Sequence, residues 1–307
     1  MSRIHELIQN INRRFIGKQE QVELAVMTLL AKGHLLIEDV PGVGKTTLAY
    51  RMAKSLDLTF SRIQFTPDTM PGDVIGSSIY DIKSGEFRYI EGAIMSHVVL
   101  VDEINRTSPK TQASLLEAME EQQVTVDKLC YKLPEPFVVI ATQNPIDFVG
   151  TYPLPEAQLD RFLMQISIGY PSVEEEIRLS QVFMEGGLSE VISPVLTQEE
   201  LIEMQHEVDQ VKICDALLDY IVRLMDATRS SNQLLLGASP RATLAMIRSV
   251  RACAYLEGRQ YGIPDDVKKV LPFVLSHRLI PSVEARMNDT TVASILVDIM
   301  KRTKVPM

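Results

Sequence analysis

Short apolar runs alternate with helically spaced stretches through the first half of the chain, which predicts a parallel β-sheet with helices on both faces. The runs are Leu35–Glu38, Phe60–Phe65, Val98–Asp102, Phe137–Thr142 and Met164–Ile168. Around Val99 and Val139 successive positions are apolar, as in strands covered on both sides. One helix follows Lys45. Another begins at Ser108-Pro109, an N-cap and first-turn proline, and runs through Leu115, Leu116 and Met119. Ser77–Tyr80 and Phe87–Ile90 flank Lys83-Ser84-Gly85, a hairpin signal, and Val124–Val126 with Tyr131–Leu133 reads as a second hairpin. Both are short, so surface loops are the alternative.

After Tyr170-Pro171 the strand signal stops. Ser172-Val173-Glu174-Glu175 is a capping-box pattern opening a helix. Gly186-Gly187 and Ser193-Pro194 read as a linker, and from Thr197 onward only helices are predicted: Thr197–Val208, Ile213–Arg229, Pro240–Glu257, Pro264–Leu275 and Thr290–Lys301. Gly258 is placed to end the third of these. The expected organisation is an α/β domain over 1–188 and an α-helical domain over 189–307.

The strongest chemical signal is Pro41-Gly42-Val43-Gly44-Lys45-Thr46-Thr47, lying between a predicted strand and a helix. Glycines let backbone N–H groups close around a β-phosphate, and the helix N-terminus adds its dipole. Lys45 is expected to reach β/γ oxygens and the Thr46 hydroxyl to ligate Mg²⁺. One departure from the general phosphate-loop pattern is Asp39, where glycine is usual. Val98 to Asp102-Glu103 supplies a matching half: a buried strand delivers two carboxylates to its C-terminal edge, where open α/β sheets bind ligands. Asp102 then holds Mg²⁺ through its water shell and Glu103 polarises the attacking water. Asn144, before Pro145, is either a turn former or an amide that orients that water. Arg161 and Arg241 could spread hydrogen bonds over phosphate oxygens. On residue chemistry alone a surface salt bridge is the commoner role for each.

Composition narrows the class. With 46% hydrophobic and 23% charged residues the chain reads as globular. A net charge of -9 disfavours non-specific nucleic-acid binding. Cys130, Cys214 and Cys253 form no CxxC pair, and the histidines show no HExxH spacing, so zinc chemistry and a disulfide framework are not expected. Met1 to Phe15 does not read as a secretory leader, and no apolar run approaches the ~18 residues of a membrane span. A cytoplasmic protein is expected.

These residues, in this order, resemble the AAA+ ATPases, specifically the MoxR group. The likeness extends to Phe15-Ile16-Gly17-Lys18, Phe65-Thr66-Pro67-Asp68, Pro71-Gly72-Asp73, Asp102 to Arg106, Leu154 to Phe162 and Gly237 to Ala242. It implies a P-loop core with a helical lid, ATP and Mg²⁺ as cofactors, Asn144 as sensor 1, Arg161 as a finger entering the neighbouring subunit's site and Arg241 as sensor 2. Gly17 would flank the adenine. The two hairpins would be insertions lining a ring's pore, and Asp39 is no defect within the family. The resemblance further implies a homo-oligomer, usually a hexameric ring, acting as a remodelling chaperone on protein clients. A von Willebrand factor A-domain partner would come from a separate polypeptide. Two other classes fit the residues less well. A nucleic-acid motor lacks a basic run along the hairpins, and a small-molecule kinase rarely needs a base directly after the magnesium aspartate.

Overall fold

A computed structural model of the chain describes residues 3–13, 15–83, 85–145, 150–184 and 192–306. The expected Gly186-Gly187 linker and Ser84 of the hairpin turn lie outside these residues. The chain opens with α1 (Arg3–Asn12) and α2 (Gln19–Leu30). Ile4, Leu7, Ile8 and Ile11 of α1 are buried, an i, i+3, i+4, i+7 stripe. Each such side chain contributes about 1.5–3 kcal/mol on burial.

There follow β1 (Leu35–Glu38), α3 (Lys45–Ser55), β2 (Phe60–Gln64), α4 (Pro71–Ile75), β3 (Gly76–Asp81), β4 (Glu86–Glu91), β5 (Val98–Asp102) and α5 (Pro109–Glu121). Next come β6 (Gln123–Val126), β7 (Leu129–Lys132), β8 (Val138–Gln143), α6 (Glu156–Leu159), β9 (Met164–Ile166) and α7 (Val173–Met184). The final elements are α8 (Gln198–Gln210), α9 (Asp215–Arg229), β10 (Leu234–Leu236), α10 (Pro240–Leu256), α11 (Pro264–Leu275), β11 (Ile280–Pro281), α12 (Val283–Met287) and α13 (Val292–Arg302).

The central sheet has the order β2-β5-β8-β1-β9, so the chain leaves β1 for β2 over two strands laid down later. β5 is buried at every position, because the sheet is covered on both faces. Its parallel register pairs Gln64 with Asp102, while Glu38 pairs with Gln143. The carboxyl ends of β1, β2, β5 and β8 therefore finish at one edge, where a parallel sheet presents its chemistry.

Local signals explain most boundaries. Ser108 Oγ accepts from Thr111 N ahead of Pro109, starting α5. At α7, Ser172 Oγ accepts from Glu175 N at 3.2 Å while the Glu175 carboxylate accepts from Ser172 N at 2.8 Å, a reciprocal cap. Both predicted hairpins form, β3 with β4 and β6 with β7. They are joined by Tyr89 and Tyr131, whose rings stack at 3.9 Å and 17°.

The described residues group into two compact units. The first draws on Met1–Val26, His34–Leu154 and Ile166–Ile202, the second on Met27–Gly33, Pro155–Gln165 and Glu203–Met307. In the second unit α9, α10 and α11 bury Leu224, Met246, Val250, Val270 and Leu271 completely. The expectation of helices alone after Thr197 needs one correction: β10 and β11 form a small antiparallel ribbon. Its strands are too short to show a period of two, so the sequence carries no pattern for them.

Candidate functional site

The loop between β1 and α3 shapes the centre of the site. Gly42 and Gly44 have φ of +87° and +97°, a left-handed backbone that suits glycine. A Cβ on Gly44 would also lie 3.0 Å from the Phe15 ring. Gly44 caps α3 without any side chain, so no side chain caps the first-turn N–H groups of that helix. Such N–H groups make a ready anion site. The Lys45 ammonium donates to the Asp39 carbonyl at 2.7 Å. Burial pushes its pKa down, opposed by the nearby carboxylates of Asp39, Asp102 and Glu103.

A cavity of about 420 Å³ opens here. The loop contributes Pro41, Gly42, Gly44 and Lys45, and α3 adds Thr46 and Thr47. Asp102, Glu103 and Asn144 face it from the ends of β5 and β8. Sequence reasoning missed three further lining residues: Arg62, Gln64 and Thr142.

Those three hold the acidic pair. Arg62 Nε donates to the Asp102 carboxylate at 2.6 Å, and Gln64 Nε2 donates to Glu103 at 3.0 Å. The two donors stand two residues apart on β2, hence on one face. That alternation, in Arg62-Ile63-Gln64, was the available signal. Thr142 Oγ1 accepts from Glu103 N at 2.9 Å and donates to Asp102 at 3.3 Å. Arg106 Nε lies 3.3 Å from the Glu103 carboxylate. Glu103 itself has φ 57° and ψ 55°, a left-handed conformation that costs a non-glycine residue about 1–3 kcal/mol. The sequence did not announce this strain. A carboxylate and a hydroxyl, Asp102 and Thr46, are hard oxygen donors suited to Mg²⁺ carried on phosphates.

A second, more apolar cavity of about 220 Å³ lies on the other side of the loop. Phe15, Ile16, Val43, Pro171 and Leu179 line it. Gly17 sits in the adjoining turn at φ +77°, and a Cβ there would strike the Glu175 carboxylate. A planar, apolar ligand group fits such walls.

Asp39, the departure from the general pattern, has a distinct task. Its carboxylate accepts from Ile168 N at 2.6 Å, Gly169 N at 2.7 Å and Ser167 Oγ at 3.1 Å. It thereby ties the start of the loop to the chain leaving β9. Arg161 follows α6 and Arg241 occupies the first turn of α10, both within the second unit.

Comparison with known proteins agrees with this geometry. Residues 34–164 match the ATPase family associated with various cellular activities (AAA), and residues 226–299 match an AAA lid domain. YeaC of Bacillus subtilis is 48% identical over 97% of this chain and 93% of its own length. The chaperone MoxR1 of Mycobacterium tuberculosis is 39% identical over 99% of this chain and 82% of its own. A crystal structure of a candidate ATPase from Cytophaga hutchinsonii superposes with a TM-score of 0.93 at 35% identity, covering 99% of this chain and 95% of that one. The chain belongs to the MoxR group of AAA+ ATPases.

Proposed function

We propose that this ATPase hydrolyses Mg-ATP in the larger cavity and works as a ring-forming chaperone that remodels or matures protein complexes. The observation that carries the reading is a single cavity shared by the glycine loop, Lys45 and the acidic pair. Loop N–H groups and Lys45 bind and orient the β- and γ-phosphates. Thr46 and Asp102 would hold Mg²⁺, which would supply charge neutralisation on the phosphate oxygens. Glu103 takes the proton of the attacking water, and Asn144 orients that water. The apolar cavity beside Gly17 takes the adenine. Arg161 acts on a neighbouring subunit's phosphate and Arg241 on the nucleotide of its own chain.

The core and lid divide near residue 188 in this reading, and the hairpins line the pore of a hexamer. A separate von Willebrand factor A-domain protein is a fitting partner, and the cytoplasm a fitting location. No helix among the described residues is long and apolar enough to cross a membrane. A nucleic-acid motor is the second reading, disfavoured by the net charge of -9. Tight, salt-sensitive DNA binding would favour it instead.

The test is a set of variants assayed for nucleotide binding and phosphate release. Glu103→Gln binds ATP and stalls, Lys45→Ala loses binding, and Arg161→Ala binds but loses most of a contribution typically worth about 10³–10⁵ in rate. Wild-type turnover in Glu103→Gln removes the base assignment.

A further inference from the structure

The segment carrying Arg161 is held from both sides by one buried guanidinium. Arg278, only 5% exposed, donates from Nε to the Asp160 carboxylate at 2.6 Å. Its Nη2 serves the carbonyls of Asp160 and Phe162 at 3.1 and 2.6 Å. Its Nη1 serves the carbonyls of Leu163, at 3.2 Å, and Val274. An arginine has five N–H groups, and here each finds its own oxygen. His277 Nε2 also lies 3.0 Å from the Phe162 carbonyl and 2.8 Å from Arg278 Nη1, so the ring packs into the same junction. Peptide groups on both sides of Arg161 are thus fixed, and Phe162 and Leu163 are buried as anchors.

The same carboxylate reaches the second arginine. Asp160 Oδ2 accepts from Ser239 Oγ at 2.9 Å. Ser239 is the N-cap of α10, its oxygen accepting from Ala242 N at 3.1 Å. Arg241 lies inside the turn that this cap starts. One carboxylate therefore fixes the backbone beside Arg161 and the helix start that presents Arg241. A plain surface turn has no use for a fully satisfied buried arginine, since burying that charge is costly unless it is paired.

We propose that Asp160, with Arg278 and Ser239, is a positioning residue that sets Arg161 and Arg241 in a fixed relation, so that engagement of the neighbouring subunit's phosphate by Arg161 is coupled to engagement of the chain's own nucleotide by Arg241. The proposal rests on the phosphate-directed reading of those arginines given above.

The test is a mutant cycle on the full-length ATPase, with melting temperature, ATP affinity and turnover measured for each variant. Asp160→Asn keeps the shape and removes the charge. Its turnover is expected to fall by on the order of tenfold or more, with ATP affinity near wild type, because small misplacements of a charge-stabilising group are costly. On an Arg161→Ala, Arg241→Ala background the same change should cost nothing further, as expected of residues that act as one unit. Ser239→Asp is the second variant, and it answers the question if Asp160→Asn does not fold. Aspartate caps a helix as well as serine does but repels Asp160, so the helix keeps its cap while the bridge is lost. Ser239→Thr should restore turnover. Wild-type turnover in the folded variant, or an equal loss with and without the arginines, overturns the proposal. Full turnover in Arg161→Ala and Arg241→Ala themselves overturns the functional reading instead.

Discussion

Replacing Asp39 by alanine should unlatch the start of the phosphate loop from β9. Asp39 is 7% exposed, and its carboxylate accepts from Val40 N within the loop and, across to the chain leaving β9, from two further backbone N–H groups, at Ile168 and Gly169, and the Ser167 hydroxyl. A buried donor left without its partner costs about 1–3 kcal/mol, so two of them give roughly 2–6 kcal/mol, with about 4 as the central expectation. Scanning calorimetry should register this as a loss in melting temperature on the order of 10 °C, given about 2–4 °C per kcal/mol for a large domain. Asp39→Asn, which keeps one acceptor oxygen, should fall between. Asp39→Gly restores the residue of the general phosphate-loop pattern and should still be as destabilised as alanine, because the lost partners are the same. Nucleotide affinity should fall as well, since the Asp39 carbonyl also anchors Lys45. A loss below about 1 kcal/mol in Asp39→Ala would refute the reasoning, because one unsatisfied buried N–H already exceeds it.

Three further outcomes are expected. Thr142→Val removes the hydroxyl that joins Asp102 to the Glu103 backbone, and should cost about 1–3 kcal/mol of stability while lowering turnover more than ATP affinity. His277 is buried with its pKa pushed well below 6.5, chiefly by desolvation and then by Arg278. Below pH 6.5 the unfolded chain therefore takes up a proton that the folded chain refuses, so stability falls with pH. Urea titrations at pH 6.5 and 5.5 should show up to about 1.4 kcal/mol of this loss in the wild type and its absence in His277→Gln. Finally, burial and the adjacent Asp266 raise the Cys253 thiol to about 12, while Cys130 and Cys214 are exposed. Iodoacetamide at neutral pH should label those two in the native protein and reach Cys253 only after unfolding.

The local part of the fold was legible because its causes are local. Ser172 and Glu175 cap α7 across three residues, and continuous apolar stretches at Val98 and Val138 mark strands buried on both faces. The glycine loop and the acidic pair could be read from spacing for the same reason. Contacts between distant positions left no such trace. The distant partners of Asp39 lie beyond residue 166, and those of Asp160 are Ser239, the cap of α10, and Arg278, just past α11. The stripe Ile4, Leu7, Ile8, Ile11 is local too and is legible in the sequence as one face of a helix. Arg62 and Gln64 carry no mark of their role in the sequence, since no local pattern distinguishes a polar face toward water from one toward a site.

The stacked rings of Tyr89 and Tyr131 make the two hairpins a single mechanical arm. Tyr89 also donates its hydroxyl to the Ile75 carbonyl at the end of α4, and the second hairpin springs directly from the end of α5. A load on either exposed tip is consequently divided between both ribbons and delivered to α5, whose start at Pro109 follows Glu103 by a short turn. Prying the rings apart would cost about 0.5–1.5 kcal/mol beyond the buried area, so gentle tugging moves the arm whole.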